Sequence, residues 1–378
     1  MGLNLGILIP QSNTYPAIGR DFMDGLELST KGCSINLHIE GIGFGANMEQ
    51  IINSVQKLQN QYRVHLVTGL IGHHQIERLY QLMNDLGSLL FYSDLGAKLP
   101  YGLKKSPWIF CNSFDLFHSA IETGKRMVAN GHKNIVNSTC YYDAGYGFTQ
   151  ALEKGLYDSG GSFAGHFITP LNPREQEAAL MKQYMDIVNP HAIYAQYSGI
   201  FAREHASFLQ QNKLSLGFPV YASHFAIENE LLTDFPEIFQ NTKCVTSWMP
   251  EENNEASRKF VSAYSDEYGR QPSVFSLLGY ENGKAIATAT NSLSKFSSSE
   301  IKRNLETVDF ESPRGRFQFH PDTHRTFFDQ CLWNIRFENG KYIKRKLGQF
   351  VNDTSLTLEL MSSEIQVPGG WYNAYLCQ

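Results

Sequence analysis

Signals that define several common protein classes are missing from this chain of 378 residues. Its six cysteines, at positions 33, 111, 140, 244, 331 and 378, form no CxxC pair, which disfavours zinc ribbons and thioredoxin chemistry. The net charge is −5 and no block of Lys and Arg occurs, so we predict no nucleic-acid partner. No stretch of about 18 apolar residues is present, and we therefore expect no insertion into a membrane.

Catalytic and cofactor motifs are missing as well. The turn after the first predicted strand lacks GxGxxG, and neither GxxxxGK[ST] nor GxSxG occurs in the chain, so no nucleotide cofactor and no hydrolase nucleophile is indicated. His320 and His324 have helical spacing, but Pro321 interrupts the helix that this spacing needs. We therefore predict a protein that is not an enzyme and holds no cofactor or metal. An α/β enzyme using His73 and His224 stays open as a different class of function.

The composition is that of a folded protein. Hydrophobic residues make up 42% of the chain and charged residues 18%, values typical of globular proteins. The length favours about two domains. Aromatic residues are plentiful, with 19 Tyr and 25 Phe, and tyrosine suits the lining of a cleft because it offers both apolar area and a hydroxyl.

One pattern of strand, polar turn and amphipathic helix occurs twice. Residues 4–29 contain the first copy and residues 132–160 the second, whose turn is the tyrosine-rich segment 141–147. Between and after these copies, short apolar runs alternate with helical periodicity, which predicts parallel sheets covered by helices on both faces. Residues 330–350 read as a β-hairpin around Asn339-Gly340. We expect two α/β lobes around a shared ligand cleft.

Polar turns that follow predicted strands supply candidate ligand contacts. In the first turn, Thr14 could cap the following helix, with Pro16 in its first turn; hydroxyls there could equally hold a carboxylate. His73 and His74 follow another strand, and hydrogen bonding at a cleft wall is favoured over metal binding. Ser93 and Asp94 follow the strand ending at Tyr92; Asp94 is either a carboxylate for a ligand cation or a loop cap.

Four segments in order resemble the type I periplasmic binding proteins, specifically their branched-chain amino-acid (leucine/isoleucine/valine) binding branch. The segments are Gly6-Ile7-Leu8-Ile9-Pro10 through Gly25-Leu26-Glu27-Leu28, Gly131 to Val136 with Asp143, Tyr146 and Gly147, Met249-Pro250 through Pro272, and Ser312-Pro313-Arg314-Gly315 through Asp322. They extend from residue 4 to about residue 345 when the hairpin is included.

The resemblance implies two doubly wound, Rossmann-like parallel-sheet lobes, joined by three hinge crossings near 113–117, 246–249 and 327–331, with the ligand between them. Lobe I would hold residues 1–115 plus 247–328, and lobe II residues 116–246 plus 329–378. The contacts carried over by position are Ser12, Tyr15, His73, His74, Ser93, Asp94, Tyr146, Tyr197, Ser198, His224 and Phe275. The family's acid for an ammonium group is absent from the turn Ser223-His224, although Glu228 lies nearby.

The resemblance also implies a role and a partner. We expect a solute-binding protein that delivers a small polar ligand, an amino acid or a related carboxylate or amide, to the membrane-embedded permease of an ABC importer by hinge closure. Met1 leads into a strand without a signal region, so the expected periplasmic location requires that an export signal has been removed. A cytoplasmic amide or amino-acid sensor of the same fold, regulating a partner protein, is the alternative.

Overall fold

The computed structural model describes residues 2–72, 75–98, 102–103, 105–213 and 217–363. The strands, in chain order, are β1 (Leu3–Ile9), β2 (Ile35–Gly41), β3 (Leu66–Leu70), β4 (Leu90–Asp94), β5 (Ile109–Ser113), β6 (Asn134–Cys140), β7 (Ser162–Thr169), β8 (Ala192–Gln196), β9 (Val220–Ala222), β10 (Lys243–Thr246), β11 (Asp309–Ser312), β12 (Gly315–Gln318), β13 (Gln330–Glu338) and β14 (Lys341–Phe350). The helices are α1 (Ile18–Thr30), α2 (Met48–Tyr62), α3 (Ile76–Leu86), α4 (Leu116–Ala129), α5 (Phe148–Asp158), α6 (Glu177–Val188), α7 (Gly199–Asn212), α8 (Asn229–Asp234), α9 (Glu255–Tyr268), α10 (Val274–Thr290), α11 (Ser298–Leu305) and α12 (Thr354–Ser362).

The chain divides into two compact units. Unit 1 contains residues 1–115, 252–328 and 352–378, and unit 2 contains residues 116–251 and 329–351. The predicted boundaries were 115/116, 246/247 and 328/329, so the second boundary lies five residues further along the chain than expected. The predicted α/β class with parallel sheets is confirmed in both units.

Unit 1 is built on a five-stranded sheet in the order β2-β1-β3-β4-β5, in which every pair is parallel. Three of its strands, β3, β4 and β5, are buried at every residue, as expected when helices cover both faces of a parallel sheet. Helix α2 shows how the sequence covers one face, because Met48, Ile51, Val55 and Leu58 recur at helical spacing and are all buried.

Unit 2 repeats this strand order and then extends it. Its parallel part runs β7-β6-β8-β9-β10, and the β13-β14 hairpin continues the sheet in antiparallel orientation beside β10. The hairpin turns at Asn339 and Gly340, both with positive φ, which is the backbone conformation that this residue pair favours. Because the strand order is the same, the carboxyl ends of β1, β3 and β4 in unit 1 correspond to those of β6, β8 and β9 in unit 2.

The C-terminal segment differs from the expected assignment. Residues 352–378 were predicted to belong to the second lobe, whereas contacts place the described part of this segment, 352–363, in unit 1. Helix α12 buries Leu356 and Leu360, and the Gly102 amide donates a hydrogen bond to the Leu360 carbonyl at 3.2 Å. The apolar pattern of α12 is too weak to predict a helix. Its contact with a loop about 250 residues earlier in the chain is long-range, and sequence periodicity does not predict such contacts.

One predicted helix start was also wrong. Helix α1 begins at Ile18, after an Ala17 N-cap without a side-chain hydrogen bond, so Thr14 does not cap it and Pro16 lies outside its first turn. Helix α6 begins at Glu177. The Glu177 carboxylate accepts hydrogen bonds from the backbone and guanidinium of Arg174, and these bonds organise the residues before α6 as a turn.

Two helices of unit 1 cross at glycines. A Cβ on Gly25 of α1 would lie 1.9 Å from the Ser276 carbonyl oxygen of α10, and a Cβ on Gly279 would lie 1.9 Å from the Phe22 carbonyl oxygen. Real Cβ atoms do not approach backbone oxygens so closely, so these positions require glycine for backbone-to-backbone packing.

Replacing Gly279 with alanine should therefore destabilise unit 1. Alanine is the better helix former, but the added methyl group would push α1 and α10 apart, at an expected cost of about 2 kcal/mol or more. Gly41 offers a matched control, because a Cβ there meets nothing within 4 Å, and Gly41→Ala should stay within about 0.5 kcal/mol of the parent. Urea unfolding of both variants tests this; equal midpoints for the two variants would contradict the crossing argument.

A buried ion pair in unit 1 contacts two of the segments at which the chain leaves this unit. Arg314 and Glu281 are both fully buried, with Nη2 to Oε2 at 2.5 Å and Nε to Oε1 at 3.0 Å. The guanidinium also donates to the Ser113 carbonyl at 2.9 Å and lies 3.9 Å from the ring centroid of Phe328. Ser113 and Phe328 stand beside the boundaries at 115/116 and 328/329, so this one side chain fixes two chain segments where they leave unit 1.

Within the described ranges, no helix has both the length and the apolar character needed to span a bilayer.

Candidate functional site

The turn after β1 brings two predicted contacts together in unit 1. Ser12 is buried and its hydroxyl accepts hydrogen bonds from the amides of Thr14 and Tyr15, each at 3.1 Å. The Tyr15 ring lies 5.6 Å from the ring of Phe275, the second residue of α10. Ser12 therefore shapes the turn, and the turn presents Tyr15 beside Phe275 as an aromatic pair.

Ser93 and Asp94 belong to the interior of unit 1. They are the last two residues of β4 rather than the turn after it, and both are buried. The Ser93 hydroxyl donates to Asn282 Oδ1 at 2.9 Å. The Asp94 carboxylate accepts from the Ser113 hydroxyl and lies 3.5 Å from the guanidinium of the equally buried Arg325. Strand β4 therefore continues two residues beyond its predicted end, and Asp94 is paired with a cation of its own unit.

The predicted contacts His73 and His74 lie outside the described residues. Directly before them, the Ile71 amide donates to the Ser93 carbonyl at 3.0 Å, so the chain leaves β3 along the end of β4. Their predicted role at a cleft wall stays a prediction.

In unit 2, the turns after β6 and β8 are joined by Asp143. This residue lies in a short 3-10 turn after β6, and its carboxylate accepts the Ser198 hydroxyl at 2.9 and 3.1 Å and the Cys140 thiol at 3.2 Å. Gln196 donates to the Asp143 carbonyl at 2.6 Å. Ser198 is the N-cap of α7 but makes no side-chain cap bond, because its hydroxyl points to Asp143 instead.

Burial gives the Asp143 carboxyl group an unusual protonation equilibrium. The side chain is 1% exposed, and loss of solvation raises its pKa to about 7, against the lowering effect of the hydrogen bonds from Cys140 and Ser198. Among the described residues, burial and the hydrogen bonds from Cys140 and Ser198 set this pKa, and no Lys, Arg or His contributes to it. Asp143 is thus a buried acid that changes charge near neutral pH without a cation beside it.

Tyr146 belongs to a cluster of aromatic rings at the same edge of the sheet. Its ring centroid lies 5.4 Å from that of Tyr142, and Tyr142 in turn stacks on Phe201 of α7 at 5.6 Å. All three side chains are buried. Edge-to-face and stacked rings hold one another in fixed orientations, so these contacts fix the turn after β6 against α7.

Tyr197 faces into unit 2. Its hydroxyl shares a hydrogen bond with Ser138 at 2.7 Å, and its ring stacks on His205 at 4.0 Å. Burial raises the pKa of Tyr197 and lowers the pKa of His205 to about 3, so both groups are neutral at physiological pH. The Tyr197 side chain, predicted to contact the ligand, thus has hydrogen-bond and stacking partners within unit 2.

His224 stands after β9 and is partly exposed. Its Nδ1 lies 3.1 Å from the Thr246 hydroxyl, and burial together with the nearby charge of Lys344 lowers its pKa. A neutral imidazole at this position presents no charge to a ligand.

Asp143 and Phe201 were not among the predicted site residues. The signal was present for Asp143, the one acid in the tyrosine-rich turn 141–147, but its bond to Ser198 spans 55 residues and could not be derived from spacing. Across the described ranges, no group of three or more metal-ligating side chains is found. Five cysteines there are free: Cys33, Cys111, Cys140, Cys244 and Cys331.

The chain matches one protein-family model and is similar in fold to several solved structures. A family model described as periplasmic binding protein matches residues 4–341. A comparison with curated protein sequences finds no match.

Three solved structures illustrate the likeness. An ABC transporter substrate-binding protein from Sphaerobacter thermophilus has a TM-score of 0.82 at 19% identity, covering 93% of this chain and 98% of the other. A solute binding protein of an ABC transporter from R. palustris, in complex with benzoate, has a TM-score of 0.73 at 20% identity, covering 93% and 97%. A leucine binding protein from Thermotoga maritima has a TM-score of 0.66 at 16% identity, covering 93% and 99%. At these identities the likeness shows a common fold.

Proposed function

Because this chain belongs to the periplasmic binding protein family, a family of solute-binding proteins rather than enzymes, we propose that it captures a small carboxylate or its amide by hinge closure. The observation that carries the proposal is the arrangement at the carboxyl edge of unit 2. There the two segments that are joined by the hydrogen bonds between Asp143 and Ser198 also carry an aromatic cluster, Tyr142, Tyr146 and Phe201. Open parallel sheets bind their ligands at this edge.

The ligand class follows from which charges the site residues offer. Asp94 is paired with Arg325, the turn after β9 carries the neutral His224 in place of an acid, and Asp143 is buried. None of these groups is a free carboxylate for an α-ammonium, so support for an α-amino acid is weaker than for a carboxylate or amide. Tyr15, Phe275 and Tyr146 supply ring surfaces that suit an aromatic or branched apolar part, and one similar protein was solved with benzoate.

Binding measurements on the purified protein test the proposal. Isothermal titration with benzoate, benzamide and leucine should show saturable binding of benzoate or benzamide and weaker binding of leucine. Binding of none of the three, or of leucine alone, would contradict the proposed ligand class.

A substitution separates the site from the rest of unit 2. Tyr146→Ala should weaken binding of the preferred probe at least about tenfold, which corresponds to about 1.4 kcal/mol. Tyr157→Ala is the matched control, because Tyr157 lies on α5 with its side chain 54% exposed, and it should bind as the parent does. Circular dichroism of both variants checks that they are folded; equal affinities would remove Tyr146 from the site.

The partner and location belong to the same proposal. We infer that the loaded protein delivers its ligand to the permease of an ABC importer in the periplasm, as the family and the similar transport proteins support. Reconstituted permease should hydrolyse ATP faster with the ligand-loaded protein than with the ligand-free protein. Equal rates would argue against this partner.

A further inference from the structure

Asp143 does more in unit 2 than join two turns. Its carboxylate receives the Ser198 hydroxyl on both oxygens and the Cys140 thiol on one of them, and the side chain is 1% exposed. Both carboxylate oxygens already accept hydrogen bonds from within unit 2, so we do not expect the carboxylate to contact a ligand directly. It acts instead through charge and through the position of the Ser198 turn.

The groups around Asp143 do not change charge at neutral pH. Burial raises the pKa values of the Cys140 thiol and of the phenols Tyr194 and Tyr197, and it lowers the pKa of His205 on α7, so all four are neutral. Asp143 is the member of this set that titrates near pH 7.

The lysine and arginine side chains on the neighbouring elements pair with acids of their own, as Arg203 of α7 does with Asp234. After β7, Arg174 pairs with Glu177 at 2.6 Å, and on α5 Lys154 pairs with Asp158 at 3.0 Å. Neither Arg174 nor Lys154 therefore supplies an unpaired positive charge that would hold Asp143 ionised.

On the premise of the proposed function, we propose that Asp143 couples the capture of an anionic carboxylate solute to the uptake of a proton. An anion bound at the Tyr146 turn would lie close to Asp143, since three residues of chain span at most about 11 Å. Ionised Asp143 repels that anion, whereas protonated Asp143 does not. Binding the anion therefore favours the protonated form, and by reciprocity protonation favours binding.

The size of the effect follows from the distance. Two like charges about 10 Å apart at an effective dielectric constant of about 20 change an affinity about tenfold. An uncharged amide of the same shape meets no such repulsion. The structure thus assigns to this site a discrimination between carboxylate and amide that grows as the pH rises through neutrality.

Titration calorimetry with two probes tests the inference. Benzoate, ionised throughout, should bind about tenfold more tightly at about pH 5.5 than at about pH 8.5, while benzamide should bind equally at both values. Near pH 7, benzoate binding in buffers of different ionisation enthalpy should show uptake of about half a proton, because a tenfold coupling shifts the pKa of Asp143 by about one unit. Equal benzoate affinity at both pH values, with no proton uptake, overturns the inference and leaves the proposed function standing.

Variants identify the group that takes the proton. Asp143→Asn should bind benzoate with the same affinity at both pH values and without proton uptake. Glu204→Gln is the matched control: Glu204 also has a raised pKa and lies on α7, but its shift is caused by burial and by Glu177, so it should keep the parent's pH profile. A tenfold profile that persists in Asp143→Asn overturns the inference. If Asp143→Asn does not fold, the proton uptake of the parent decides; if benzoate and benzamide both fail to bind, the proposed ligand class and this inference fall together.

Discussion

Replacing Arg314 with alanine is expected to lower the free energy of unfolding by about 3 to 5 kcal/mol, the usual cost of removing one partner of a buried ion pair. The substitution leaves the Glu281 carboxylate fully buried without its cation. It also removes the hydrogen bonds to Asn112 and to the Ser113 carbonyl. Urea unfolding followed by circular dichroism measures the change in midpoint.

Arg316 gives this experiment its matched control. It stands two residues away in the same small β11-β12 hairpin and pairs with Asp309, but its side chain is 62% exposed. An exposed pair contributes about 0 to 1 kcal/mol, so Arg316→Ala should unfold nearly as the parent does. Comparable losses of unfolding free energy in both variants would mean that burial does not explain the contribution of the Arg314 pair to stability.

Asparagine at position 143 is expected to stabilise the protein at alkaline pH. The pKa of Asp143 is raised from 3.8 to about 7 in the folded state by burial. A raised carboxyl pKa contributes stability that is fully present below pH 3.8 and is lost as the pH rises through about 7. At 1.36 kcal/mol for each pKa unit, the loss in the parent approaches about 4 kcal/mol near pH 8.

The variant lacks this loss because an amide does not ionise. The difference in unfolding free energy between Asp143→Asn and the parent should therefore be small near pH 4 and grow steadily towards pH 8. Asp186→Asn on α6 is the control, since Asp186 is 55% exposed in its pair with Lys182, and its difference from the parent should stay small. A difference that does not depend on pH at position 143 would show that Asp143 is ionised throughout the range.

The two-unit α/β architecture was predictable because strand and helix periodicity is a local property of sequence. The ends of the strands and helices were less predictable. Ser93 and Asp94 are polar, and their interior partners Asn282 and Arg325 lie 189 and 231 residues away, so nothing nearby indicated that β4 continues through them. The hydrogen bond from Ser198 to Asp143 was not predictable either, because the two residues are far apart in sequence. A hydroxyl residue after a strand indicates a turn but does not identify its hydrogen-bond partner.

Several predicted contacts already have partners within their own unit. Ser12 holds the backbone of its turn, Tyr197 bonds Ser138, and Ser198 bonds Asp143. Sequence position could place these side chains at the carboxyl edge of a sheet, but which way a hydroxyl points depends on packing around it.

The return of the chain to unit 1 at residue 352 has a mechanical consequence. From Gly2 to Ser363 the chain passes between the units four times, so both of these residues belong to unit 1 and unit 2 is inserted within it. A pulling force applied at Gly2 and Ser363 would load unit 1 first. Unit 2 would be shielded from that force until unit 1 gave way, and stretching a single molecule should therefore extend the chain in an ordered sequence, with unit 1 rupturing before unit 2.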